Sequence, residues 1–263
     1  MIEAFIFIFT GALTGIAAGL FGLGGGLIIV PVVTYSLISF SNIPFDEAIL
    51  SGISTSLASM VITGAMASYI HTKNKNIDFK IINKFLIGVV FGALLIGFII
   101  NIFPGKVLKN FFIIYTFFIA FRIYTEKNNV IKNSTQNNFI SNLVGFIISI
   151  ISGLVGIGGA TLFVPLLIRN NIPAKLAIGT SSALGFIIGL GASISIYFSS
   201  LYLEVTNNSM FGFVYLPAIL FLTMPSLIFV QLSANWLLKI SDATVKKLFS
   251  SMLLIIGLLM LLN

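Results

Sequence analysis

Apolar runs of about 20 residues, separated by short polar stretches, fill almost the whole chain, and a run of that length is what one helix needs to cross a bilayer. The pattern predicts eight spanning helices, near 3–21, 48–70, 79–102, 106–125, 139–156, 175–199, 211–232 and 244–262. The first and fifth are each followed by a glycine cluster and a further apolar stretch, 26–40 and 160–169, too short to cross alone. Those stretches could be re-entrant half-helices or the far part of one long, broken helix. The longest polar run, 126–138, divides the chain into a first transmembrane repeat at 1–125 and a second at 139–263. If each repeat holds four crossings, an even number, the two are inserted in the same orientation. An odd count would invert them.

The division is supported by a duplicated motif. Gly19-Leu-Phe-Gly22-Leu-Gly24-Gly25-Gly26-Leu-Ile-Ile-Val-Pro31 aligns without a gap on Gly153-Leu-Val-Gly156-Ile-Gly158-Gly159-Ala160-Thr-Leu-Phe-Val-Pro165. Ile53-Ser54-Thr55-Ser56 corresponds to Ile178-Gly179-Thr180-Ser181, and each follows an Ile-Pro pair. The expected fold class is therefore all-α, a polytopic membrane protein of about eight helices in two four-helix repeats, with broken or re-entrant glycine-rich segments.

Composition narrows this further. Of the 263 residues 58% are hydrophobic and 8% charged, and the mean hydropathy is +1.12. A soluble domain carries about 25% charged residues, so the lipid bilayer is the expected environment and the cell membrane the expected location. A net charge of +7 raises the question of nucleic acid, but the Lys and Arg residues fall singly or in pairs between apolar runs, as interfacial anchors do. No nucleic-acid partner is expected. With no cysteine and a single histidine, His71, no metal site or cofactor is expected, and His71 itself reads as a solvated residue at a span end. With eight spans the positive charges tie. Lys73, Lys75, Lys80, Lys84, Arg122, Lys127 and Lys132 fall on one side, and Lys106, Lys109, Arg169, Lys175, Lys239, Lys246 and Lys247 on the other.

The glycine clusters are the first candidates for chemistry. Glycine adopts dihedrals closed to other residues and lets a ligand or another helix come close. A helix that starts after a break presents unpaired N–H groups and the positive end of its dipole, an anion site that needs no charged side chain. Gly24, Gly25, Gly26, Gly158 and Gly159 are candidate binding positions on this ground, and Gly22, Pro31, Gly156 and Pro165 candidate hinges or helix breaks. Close helix packing is the competing explanation for any lone glycine, and matched clusters shift the weight to function. The hydroxyls of Ser54, Thr55, Ser56, Thr180 and Ser181 could donate to an anion oxygen, or bond their own helices. No Asp, Glu, Lys or Arg falls centrally within a span, and Asp46 and Glu47 lie in a connection facing water. Without a nucleophile–base pair or paired carboxylates, an enzyme is not expected.

The two glycine motifs ending in Val-Pro, the Ser-Thr-Ser and Gly-Thr-Ser segments, the stretch Ser68-Tyr69-Ile-His71 with Asn76-Ile-Asp78, and Thr244-Val-Lys-Lys-Leu-Phe249 together resemble the TauE/SafE family over essentially the whole chain. The resemblance implies a permease of about eight helices for sulfite, sulfonates or related sulfur-containing anions. It implies binding roles at Gly24, Gly25, Gly158, Gly159, Thr55 and Thr180. Ala160 stands where the third glycine of the second motif would be, so the half-sites need not contribute equally and the first is the stronger candidate. The expected activity is transport of a small anion by alternating access. A channel-like passive conduit and a non-transporting membrane scaffold remain the alternatives.

Overall fold

The computed structural model describes residues 2–22, 24–125, 137–201, 210–237 and 239–262. Ten helices and one small hairpin run through them: α1 (Ile2–Phe21), α2 (Gly26–Ser41), α3 (Phe45–Lys73), α4 (Phe79–Ile100), α5 (Gly105–Thr125), α6 (Asn138–Val155), α7 (Ala160–Arg169), α8 (Ala174–Ser200), β1 (Met210–Phe211), β2 (Val214–Tyr215), α9 (Leu216–Leu237) and α10 (Asp242–Leu262). Among the described residues seven helices are long and apolar enough to cross a membrane; α2, α7 and the apolar part of α10 are shorter. The protein is an all-α, multi-pass integral membrane protein. The break expected at 126–138 lies outside the described residues for 126–136, with Asn137 capping α6 through its side chain.

One boundary differs from the apolar pattern. The seventh span starts at Leu216 rather than 211, because β1 and β2 pair Met210 with Tyr215 around Gly212, whose φ is 59°. The Tyr215 amide is then drawn to the Thr55 hydroxyl at 2.9 Å instead of beginning a helical ladder.

The glycine clusters reverse the chain. Gly26 lies against Ser56 in the middle of α3, while Val30 and Thr34 lie against Gly52, so α2 runs back along α3. Each glycine segment is thus the buried tip of a helical hairpin, α1–α2 or α6–α7, and the segment after it is a return helix, not the far part of a long one. Both return helices end alike. Asn42 and Asn171 take left-handed φ values of 52° and 65°, a conformation that ends a helix, directly before the Ile-Pro pairs that open α3 and α8.

Among the described residues each half holds five helices, an odd number. Gly11, Gly15 and Gly19 of α1 meet residues 222–225, 226–229 and 230–234 of α9, so these two helices are parallel. The corresponding pair, α6 and α4, is also parallel, through Asn142 on Gly88, Phe146 on Gly92 and Gly153 on Ile96. The equivalent helices α3 and α8 run oppositely, with Leu57 and Met60 against Gly189 and Gly64 against Phe186. The matching helices of the two halves thus run in opposite directions, not in the same orientation that four crossings per half would give. Small residues every fourth position on α1 and at Gly145, Ser149 and Gly153 of α6 allow these close crossings.

Inversion also separates the charges. One end of the bundle gathers the last turns of α3, α5, α7 and α9 and the first turns of α4, α6, α8 and α10. It carries Lys73, Lys75, Lys80, Lys84, Arg122, Arg169, Lys175, Lys239 and Lys247. The other end has Lys106 and Lys109 beside Glu3, Asp46 and Glu47. Among the residues whose side chains are described the tie becomes nine against two, because the return helices move the second-half cations to the first-half side.

Candidate functional site

Both hairpin tips are buried, with Gly22, Gly24, Gly25, Gly26, Gly156, Gly158 and Gly159 all inside the bundle. They turn on matched residues: Gly22 and Gly156 adopt φ values of 71° and 73°, a region that strains any side chain. The first tip continues through Gly24 and Gly25 at 64° and 83°, whereas among the described residues of the second only Gly156 is left-handed. The tips touch. A methyl group on Gly26 would run into the Gly156 carbonyl oxygen, and that same carbonyl accepts the Ser56 hydroxyl at 2.6 Å.

The return helices α2 and α7 begin at Gly25 and Gly159, and neither N-terminus has a side-chain cap. Ile28 and Ile29 both donate to the Gly25 carbonyl, and Leu162 and Phe163 to that of Gly159. The amides ahead of them, at Gly26 and Leu27 or at Ala160 and Thr161, are the ones a helix leaves without a ladder partner; that of Ala160 turns back to Gly158. Pro31 and Pro165 sit inside α2 and α7, which continue past them.

The hydroxyl candidates divide. Thr55 and Thr180 are equivalent and do equivalent work, each accepting a backbone N–H from the opposite half: Tyr215 at 2.9 Å for Thr55, and Asp78 at 3.0 Å for Thr180. These are stitches between repeats. Ser56 is engaged with the second tip. The hydroxyls of Ser54 and Ser181 are buried and have no hydrogen-bond partner among the described residues.

Other residues at the tips escaped the sequence reading. Thr63 donates to the Gly24 carbonyl at 3.1 Å, and the Met60 side chain packs against Gly24. Tyr115 of α5 shares a hydrogen bond with Thr161 in the first turn of α7. Ser56, Met60 and Thr63 lie at helical spacing on one face of α3, the signal that could have marked them. His71, expected to be solvated, is instead fully buried, packed where Ala18, Ala67, Ile70, Val230 and Ala234 close together. Its last-turn position on α3 suggested an interface; the convergence of α1 and α9 over that turn covers it. Asp46 and Glu47 belong to the first turn of α3, not to a connection, and line a cavity of about 720 Å³ at the acidic end with Asn42, Asn101 and Met210.

The tip region is electrically plain. Among the described residues, the buried side chains that carry a polar atom are Ser, Thr, Tyr and one His besides sulfur-bearing Met, with no Asp, Glu, Lys or Arg. No group of His, Cys, Asp or Glu there could hold a metal.

Two glycine tips touch inside a bundle whose described residues bury no Asp, Glu, Lys or Arg, and comparison with known proteins says what kind of chain this is. Residues 7–260 match the family described as sulfite exporter TauE/SafE. The chain belongs to this family. A probable membrane transporter protein of Haemophilus influenzae is 29% identical over 254 residues, covering 96% of each chain. Another from Methanocaldococcus jannaschii is 30% identical over 261 residues, 98% of this chain and 95% of that one. No solved structure matches. The family and these relatives make the protein a membrane transporter with a small-molecule substrate and a lipid environment.

Proposed function

We propose that this transporter carries a small sulfur-containing oxyanion, sulfite or a sulfonate, held between the two hairpin tips and moved by alternating access of the inverted repeats. The family description supports the substrate class. The observation that carries the binding mode is the pair of buried helix starts at Gly25 and Gly159, uncapped by any side chain, in an interior whose described residues include no buried cation. Helix N-termini supply N–H donors and partial positive charge where a lysine would be costly to bury. Gly24, Gly25, Gly26, Gly158 and Gly159 form the floor of this site, with Ser54 and Ser181 as hydroxyl donors, while the Ser56 hydroxyl stays on the Gly156 carbonyl. Thr55 and Thr180 act from behind it by fixing the repeats to each other.

Purified protein in proteoliposomes should take up labelled sulfite saturably, faster when unlabelled sulfite waits inside. Large single-channel currents would favour a passive conduit. Absence of flux with sulfite, thiosulfate, taurine and sulfoacetate alike, together with no ligand-induced thermal shift, would leave the scaffold reading.

The charge distribution supports an orientation with the nine-cation end in the cytoplasm and the chain beginning and ending on the opposite side. In whole cells, a cysteine replacing Lys75 should be closed to a membrane-impermeant maleimide and one replacing Lys106 open to it. The reverse labelling would invert the assignment.

A further inference from the structure

The tips are equivalent in backbone but not in their surroundings. When Thr55 is aligned on Thr180, Met60 falls at the position of Gly185, Thr63 at that of Ile188 and Ser56 at that of Ser181. In the first half these side chains are spent. Met60 fills the space beside Gly24, Thr63 bonds the Gly24 carbonyl, and Ser56 bonds Gly156. In the second half Ile188 packs on Gly159, but Gly185 has no side chain and the Ser181 hydroxyl has no partner among the described residues. A methyl group on Gly185 would stand 3.8 Å from the Gly158 Cα and 3.8 Å from the Gly22 carbonyl oxygen, no tighter than ordinary contact. One turn away on the same face of α8 is Ser181, 0% exposed and with no hydrogen-bond partner among the described residues. The Gly22 carbonyl accepts no hydrogen bond from any described residue either. So beside Gly158 there is a position where a methyl group fits in ordinary contact, with one hydroxyl donor and one carbonyl acceptor that have no partner among the described residues.

Given the transport reading above, on which this rests, we infer that the substrate binds off-centre, at Gly158, Ser181 and Gly185, as a monoanion that carries its own hydrogen-bond donor. Its oxygens accept from the Ser181 hydroxyl and face the first amides of α7. Its own O–H or N–H donates to the Gly22 carbonyl. Hydrogen sulfite has this chemistry, and so does an aminosulfonate. Sulfate at neutral pH has only acceptors, and would leave the carbonyl unpaired with a negative oxygen against it. A buried polar group left without its partner costs about 1–3 kcal/mol, so the selectivity expected from this one carbonyl is on the order of tenfold or more. The first half-site, filled by Met60, serves as a wall.

Binding to the detergent-purified protein, read by calorimetry with sodium sulfite and sodium sulfate at neutral pH, tests this. Wild type should bind sulfite at least about tenfold tighter than sulfate. Ser181→Ala should weaken sulfite by about tenfold, the loss of one hydrogen bond to a charged ligand. Gly185→Ala fits without displacing a neighbour and should weaken it less, while Gly185→Met, copying the first half, should abolish binding with the melting transition retained. Sulfite affinity unchanged in Ser181→Ala and Gly185→Ala would overturn the inference while leaving the transport reading intact. Equal affinity for sulfate would overturn the donor requirement. Wild type that neither binds nor moves any sulfur oxyanion would overturn both.

Discussion

At the first glycine tip Met60 packs beside Gly24 and Thr63 bonds the Gly24 carbonyl; at the second, Gly185 and Ile188 occupy the corresponding places and supply neither contact. The first tip uses three left-handed glycines and, next to them, a position where no methyl fits. Among its described residues the second uses one and tolerates Ala160. Duplication has kept what each half must do for the fold: the buried reversal, the Asn-Ile-Pro return and the threonine stitch. It has released the side chains around one tip. On the proposed reading the two halves build one unequal site, and the glycine-poorer motif borders its less crowded side. The glycine count had pointed to the other half, since it measures backbone constraint and not space.

The sharpest way to break this comparison is to exchange the one glycine that the second motif lacks. Gly26→Ala drives a methyl into the Gly156 carbonyl, and a backbone atom cannot step aside as a side-chain end can. A loss of about 3 kcal/mol, or failure to assemble, is expected in thermal melts. Ala160→Gly should cost about 1 kcal/mol, the propensity difference alone. Equal losses would mean the tips are not in contact as described.

Next in size are the stitches. Thr55→Val and Thr180→Val each strand a backbone amide that now bonds across the repeats, at a cost of about 1–3 kcal/mol. The two should be similar, and the double variant additive, since the sites lie toward opposite ends of the bundle. A much larger loss at one would show that the repeats are not symmetric at this level.

The smallest effect separates the equivalent residues behind those stitches. Asp78 caps α4 through its side chain, while Tyr215, in its place before α9, donates to Glu3 at 3.0 Å. Burial first, and then the Glu3 carboxylate, push the Tyr215 phenol up to about 12 from its usual 10. Because the folded value is the higher, its stabilisation is complete below pH 10 and is lost as pH rises from 10 toward 12. Tyr215→Phe should flatten that part of the alkaline melting profile. An unchanged profile would remove the Glu3 contact from the account.

Much of this was legible in the residues. Seven of the eight expected spans fell within a few residues of helices long and apolar enough to cross a membrane, since a span must be apolar for its whole length. The glycine motifs marked the tips because left-handed turns at Gly22 and Gly156 have no other ready occupant. What could not be read was the direction of the chain after each motif. Apolar stretches such as 26–40 and 160–169 look the same whether they continue a helix or return along it, and on that hung both the inversion of the repeats and the sorting of the cations. His71 was misread for a similar reason: a helix end looks wet until other helices are laid over it. The threonines stood out by repetition, yet repetition here reports a shared structural bond as readily as a shared ligand.

The central claim, that an anion is held at the start of α7 and moved by the repeats around it, is tested most directly at Gly159. The first carbon of a side chain there meets the ends of two buried side chains, Ile188 at 2.8 Å and Phe163 at 2.9 Å, and no backbone atom so close, so Gly159→Leu should still insert, at a cost of about 1–3 kcal/mol, while covering the first amides of α7. Sulfite exchange in proteoliposomes should then fall to the level of empty vesicles. Exchange by Gly159→Leu at the wild-type rate would contradict the claim.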